Sequence, residues 1–171
     1  MNWQQRFYYL DFIAAPLASV LWCVMHDSTY GWDWWSYAVL CFGVLTWTLI
    51  EFGLHHLGHT LPSLQKEHFH HHREPIAITG PSSFITLALY LGIYLGLDWI
   101  NAWFASAFMP GLLIGYAAYL WLHNAIHRGK LPRFLLERKQ YHEDHHRGVR
   151  EKFGVTTSLW DRVFKKKSKL P

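Results

Sequence analysis

The chain has 171 residues, 51% hydrophobic and 18% aromatic, with a net charge of +4. That is a richer apolar content than a soluble domain of this size carries, and a domain so small could not cover four helices that are apolar all round. The basic tail has no aromatic stacking platforms interleaved with its lysines, which argues against a nucleic-acid partner.

In chain order, the first apolar run covers residues 7–25. It holds Asp11 about one turn inside, expected to snorkel to the interface, and Pro16, expected to kink it. No small-x-small site follows Met25, so the run reads as a retained span rather than a signal peptide. The segment 26–33 has no Lys or Arg, and its lone His26 is not expected to bind metal. The second run is 34–54, with Glu51 near its end. The third is 84–100 and the fourth 104–122, separated by a short segment around Asp98. Each run is close to the ~20 residues that a helix needs to cross ~30 Å of hydrocarbon.

Pro110 is expected to kink the fourth run, and Gly92 with Gly96 and Gly111 with Gly115 suggest that the third and fourth pack closely. Trp32, Trp34, Trp35, Trp99 and Trp103 fit one interfacial belt, and Trp3, Tyr8, Tyr9 and Trp121 the other. Cys23 and Cys41 lie at unlike depths, so no disulfide is expected. All 16 Lys and Arg residues, from Arg6 to Lys165, Lys166, Lys167 and Lys169, fall on one side of such a four-span arrangement, which puts both termini in the cytoplasm. The expected fold is all-α: an integral membrane protein with four transmembrane helices and a cytoplasmic histidine-rich helical cap (55–82 and 123–171), in a single domain 1–171. A bacterial inner membrane is the favoured location, the endoplasmic reticulum if the source is eukaryotic.

Ten of the 13 histidines fall into four boxes at the cytoplasmic ends of these spans: His55 and His59; His68, His71 and His72; His123 and His127; His142, His145 and His146. Helical residues three or four apart share a face, so each box is expected to point at one spot, and four converging faces could hold two metal ions. Ten imidazoles are too many for one tetrahedral zinc, and imidazole suits zinc, copper, iron or nickel rather than magnesium or calcium. A transporter would more readily place its ligands at the bilayer midplane. His56 and His70 sit beside ligand candidates but about 100° away around the helix, so they are expected nearby or exposed, without sharing a neighbour's metal.

From Glu51 to Phe164 the chain resembles the fatty acid hydroxylase and sterol desaturase superfamily. Glu51-Phe-Gly-Leu-His55-His56-Leu-Gly-His59 is similar to the family's first box, and His68-Phe-His70-His71-His72-Arg-Glu-Pro75 to the second. Gly115-Tyr116, followed by His123-Asn-Ala-Ile-His127-Arg-Gly129, is similar to the third. His142-Glu-Asp-His145-His146, then Phe153-Gly-Val-Thr-Thr-Ser-Leu-Trp160-Asp161-Arg-Val-Phe164, resembles the fourth box and the closing motif. The first box has three residues between its histidines where fatty acid 2-hydroxylases usually have four, a spacing nearer the sterol-oxidising branch.

The resemblance implies a non-haem di-iron oxygenase: two iron ions, with zinc an alternative occupant after purification, and dioxygen as co-substrate. It also implies a lipid substrate entering from the bilayer. With no cytochrome b5-like domain in the chain, a separate cytochrome b5-like or ferredoxin-like donor is expected. Hydroxylation of a fatty acyl chain is the first expectation. A sterol or carotenoid desaturase or hydroxylase is an alternative, as is a membrane metal-binding or transport protein. Glu51, then Asp161, with Glu143 and Asp144 behind them, are candidates to orient the ligand imidazoles; the alternative for each is a solvated or capping carboxylate. Thr156, Thr157 and Ser158 are read as caps of a last short helix.

Overall fold

A computed structural model describes residues 10–76, 82–129, 131–149 and 151–164. The expected belt residues Trp3, Tyr8 and Tyr9, together with Arg6 and the lysines of the tail, lie outside the described residues. Among the described residues the regular structure is helical, without strands. The helices are α1 (Asp11–Tyr30), α2 (Trp34–Thr60), α3 (Pro62–Arg73), α4 (Ser83–Arg128), α5 (Leu136–His146) and α6 (Leu159–Val163), with a 3-10 turn at Arg133–Leu135.

Local chemistry explains the boundaries. Gly31 ends α1 at φ 70, in the left-handed region that only glycine enters freely, while its N–H still reaches the Asp27 carbonyl at 3.0 Å. Asp33 then starts α2, accepting the Ser36 N–H at 2.8 Å as an N-cap carboxylate does. Pro62 opens α3, where its missing N–H costs nothing.

Three of these helices, α1, α2 and α4, are long and apolar enough to cross a membrane. At 46 residues and about 1.5 Å per residue, α4 would be roughly 69 Å long, more than twice a hydrocarbon core. It is two helices joined at Asn101, whose φ −158 and ψ 99 are not helical, and the Asn101 side chain accepts the Phe104 N–H at 2.9 Å to restart the second. The break therefore falls in the short segment that separates the third run from the fourth. Ile13, Leu17, Val20, Leu21 and Val24 of α1 are exposed, an apolar surface suited to lipid.

The described residues fall into two compact units, one within Met1–Trp47 and Ile78–Trp121, the other within Thr48–Ala77 and Leu122–Pro171. In the first, Trp47, Tyr90, Phe108, Met109, Leu112, Leu113, Tyr116 and Leu120 form the core with Ala15. The second half of α4 touches α2 backbone to backbone. A Cβ on Gly111 would collide with the Leu40 carbonyl, and one on Gly43 with that of Phe108. Gly115 lies against the Trp47 side chain, whereas Gly92 and Gly96 face open space. One of the two small-residue pairs is thus a packing surface, and its partner is α2, not the third run.

Two polar residues of this unit expected at its margins are instead paired inward. Asp11 does not snorkel: it is 4% exposed and accepts the Tyr116 hydroxyl at 2.5 Å. His26 is fully buried between the hydroxyls of Ser106 (2.7 Å) and Ser36 (3.0 Å), with the rings of Trp32 and Trp103 against it. Trp34, Trp35 and Trp99 stay exposed, as interfacial anchors would. Cys23 and Cys41 are free.

Candidate metal centre

The histidines gather in the second unit, on the last turns of α2 and α4 and on α3 and α5. They form two clusters: His55, His59, His68, His72 and His145, and then His71, His123, His127 and His142. Within each, one ring nitrogen per residue lies within 4.8 Å of all the others.

In the first cluster four Nε2 atoms make a closed ring. Its sides are His59–His68 at 2.7 Å, His68–His72 at 3.0 Å, His72–His145 at 3.1 Å and His145–His59 at 3.0 Å. The corners of a square of about 3 Å side lie about 2.1 Å from its centre, the distance from an imidazole nitrogen to a metal ion. In the second cluster the Nε2 atoms of His123 and His127, and of His127 and His142, are 3.1 Å apart. His146 joins at its edge, its Nε2 3.1 Å from that of His142 and its ring against His71 and His127.

The two short boxes each point at a single spot as expected, but the two long ones do not, and here the structure corrects the sequence reading. The i, i+4 pairs stay together: His55/His59 and His68/His72 on one cluster, His123/His127 and His142/His146 on the other. The middle residue of each long box crosses over, His71 to the second cluster and His145 to the first. The cause is helical geometry. His71 and His72 are adjacent and so point about 100° apart, as do His145 and His146. With His146 counted, five imidazoles surround each centre.

The arrangement fits a metal ion chemically. Burial first, and then the neighbouring imidazoles, push His68 down to about 3, His72 to about 4, and His71 and His145 to about 2. Their lone pairs are therefore free for a metal at neutral pH. Besides Nδ1 of His142, His145 and His146, two buried ring nitrogens have no hydrogen-bond partner, Nε2 of His55 in the first cluster and Nε2 of His71 in the second. Those two atoms are what a cation would satisfy.

His55 is also fixed from behind, its Nδ1–H donating to the Phe153 carbonyl at 2.5 Å, which leaves Nε2 as the free lone pair. Phe153 belongs to a strap, residues 153–156, whose polar groups are tied down by side chains. Asp161 accepts the N–H groups of Phe153 (2.7 Å) and Gly154 (3.0 Å). Glu51 accepts those of Val155 (2.5 Å) and Thr156 (2.8 Å) through Oε1, and the Thr156 hydroxyl (2.6 Å) through Oε2. Arg138 donates to the carbonyls of Gly154 (2.5 Å) and Val155 (3.1 Å). Glu51 and Asp161, expected against the imidazoles, are thus one step further out.

Glu143 and Asp144 form ion pairs instead, with Lys139 and Arg147 and with Lys152 and Arg147. Thr157 accepts the Leu159 N–H at 3.2 Å at the start of α6, while Thr156 serves Glu51 and Ser158 makes no side-chain cap bond. His56 is exposed with its ring 5.0 Å from that of Phe153, and His70 is half-buried; neither joins a cluster. Sequence reasoning missed Arg138, which nothing in a polar tail distinguishes, and Phe153, whose part is played by a backbone carbonyl.

Comparison with known proteins agrees with this geometry. Residues 40–166 match the model of the fatty acid hydroxylase family. The chain is 37% identical over 146 residues to the ceramide very long chain fatty acid hydroxylase SCS7 of Saccharomyces cerevisiae, covering 74% of this chain and 37% of that protein. It is 36% identical over 141 residues to the dihydroceramide fatty acyl 2-hydroxylase FAH2 of Arabidopsis thaliana, covering 74% and 59%. It therefore spans well under two thirds of either relative. The solved structure described as full-length scs7p, with only its hydroxylase domain visible, superimposes with a TM-score of 0.79 at 27% identity, covering 96% of this chain and 69% of that one. With the boxes, the closing motif and the two histidine clusters in place, the chain belongs to the fatty acid hydroxylase family.

Proposed function

We propose that the chain is a membrane-bound di-iron oxygenase that hydroxylates the fatty acyl chain of a lipid, using dioxygen and two electrons from a separate donor protein. The observation that carries this reading is the gathering of the boxed histidines in two clusters, five in the first and four in the second with His146 at its edge, in a member of a hydroxylase family. His55, His59, His68, His72 and His145 would hold one iron, and His71, His123, His127, His142 and His146 the other. Iron bound there supplies activation of dioxygen, so that one oxygen atom enters a C–H bond and the other leaves as water.

The chain's own residues have three tasks in this reading. Burial keeps the imidazoles neutral and ready to ligate. The Phe153 carbonyl holds the His55 ring in one tautomer. The polar helices α3 and α5 keep the reacting centre away from bulk water. The names of the relatives point to an acyl group of ceramide or dihydroceramide, with carbon 2 as the position attacked. The three-residue spacing of His55 and His59 favours a sterol substrate as the second reading.

For topology we propose four spans, the break at Asn101 separating the third from the fourth, with the clusters and both termini on the cytoplasmic side. The test is turnover under isotopically heavy dioxygen with a reducing partner and membrane lipid. The expected product is a lipid alcohol with one heavy oxygen atom. An unlabelled lipid two hydrogens lighter would mean desaturation, and metal uptake without change in any lipid would mean transport.

A further inference from the structure

We propose that Glu51, Asp161 and Arg138 form a clamp that positions His55, and that the clamp serves one metal site and not the other. The proposal rests on the two-metal reading above. Four consecutive N–H groups, from Phe153 to Thr156, end on two buried carboxylates, Glu51 at 3% exposure and Asp161 at 8%. Arg138 takes the carbonyls of Gly154 and Val155. A segment without helix or strand thus has its four N–H groups and the carbonyls of Phe153, Gly154 and Val155 paired, much as regular structure would pair them. The Phe153 carbonyl faces His55.

The strap touches the histidines selectively. The Phe153 ring lies 5.9 Å from His55, 5.6 Å from His59 and 5.6 Å from His145, all members of the first cluster. Loosening the strap should therefore release the His55 tautomer and orientation at the first centre, while the second, whose rings are not among those packed on Phe153, keeps its geometry. Glu51, Asp161 and Arg138 touch no reacting atom in this account; they are positioning residues.

The test is ferrous-iron binding by the purified full-length chain, read as stoichiometry and by competition with a chelator. Wild type should bind two equivalents. Glu51→Ala should weaken one of them by about 10–100-fold, the usual effect of removing a group that orients a metal-bound histidine, and leave the other unchanged. Glu51→Gln should restore most of the loss, because its amide oxygen can still accept the Val155 and Thr156 N–H groups and the Thr156 hydroxyl can turn to accept from its amide. Thr156→Val removes one bond and keeps the carboxylate, so it should give a smaller loss at the same equivalent even if Glu51→Ala does not fold. Equal weakening of both equivalents, or wild-type affinity at both, would overturn the proposal. A wild-type chain binding fewer than two equivalents would overturn the two-metal reading and this one with it.

Discussion

Gly111→Ala and Gly96→Ala are the same chemical change on the two halves of α4, with opposite expected outcomes. At Gly111 the new methyl would strike the Leu40 carbonyl, with the Leu40 C and Cα atoms 2.8 and 3.1 Å away. These are backbone atoms of α2 and cannot rotate aside, so the helices must separate or bend. Overpacking of this kind costs about 1–3 kcal/mol, against which alanine's helix propensity returns about 1. Separation would also loosen Leu112 and Leu113, which are 2% and 1% exposed, so the upper part of the range applies. At Gly96 nothing lies within 4 Å, and only the propensity gain of about 1 kcal/mol remains. Denaturant titration of both variants in one detergent measures the difference. If Gly111→Ala proves as stable as Gly96→Ala, the close approach of α2 and α4 is wrong.

Three further outcomes follow from particular contacts. His71→Ala and His72→Ala, one residue apart, should weaken different iron equivalents, each by more than the roughly 10–100-fold that loss of a supporting contact costs, and competition with a chelator in each variant would show whether the same equivalent is lost. His26→Ala should leave metal content unchanged but lower stability by about 2–4 kcal/mol, because it opens a cavity and strips a partner from Ser36 and Ser106; an unchanged unfolding curve would contradict its place in the core. A cysteine label at Ser28, which is exposed, should react only from the non-cytoplasmic side, and one at Ser168, outside the described residues, only from the cytoplasm; labelling of both from one side would break the four-span topology.

The sequence was most readable where one physical rule acts alone. Apolar runs located the long helices, and box spacing picked out the histidines that cluster, because both depend on local periodicity. The partition of His71 from His72 was not assigned, although the angle between helical neighbours was in view, because it depends on which helix stands opposite each ring. Asp11 was misread for a similar reason. A carboxylate near a span end snorkels unless a donor is available, and Tyr116, 105 residues away, supplies one. The strap lay furthest from reach. Glu51 and Asp161 were noticed as acids near histidines, but their bonds run to backbone amides, which carry no sequence signature.

The crossover of His71 and His145 bears on how the two centres can behave. Helices α2 and α4 each supply a pair of imidazoles to one cluster, so a shift of either acts on that cluster alone. Helices α3 and α5 each supply ligands to both. A rotation of α3 that moves His68 and His72 about the first centre must also move His71 about the second, and α5 couples them in the opposite sense through His142, His146 and His145. Both centres thus draw ligands from the same two helices, while each keeps its own pair on α2 or α4. Two electrons have to reach one dioxygen molecule in the proposed reaction. A scaffold in which α3 and α5 each carry ligands for both centres suits that requirement better than two boxes folded around each metal independently.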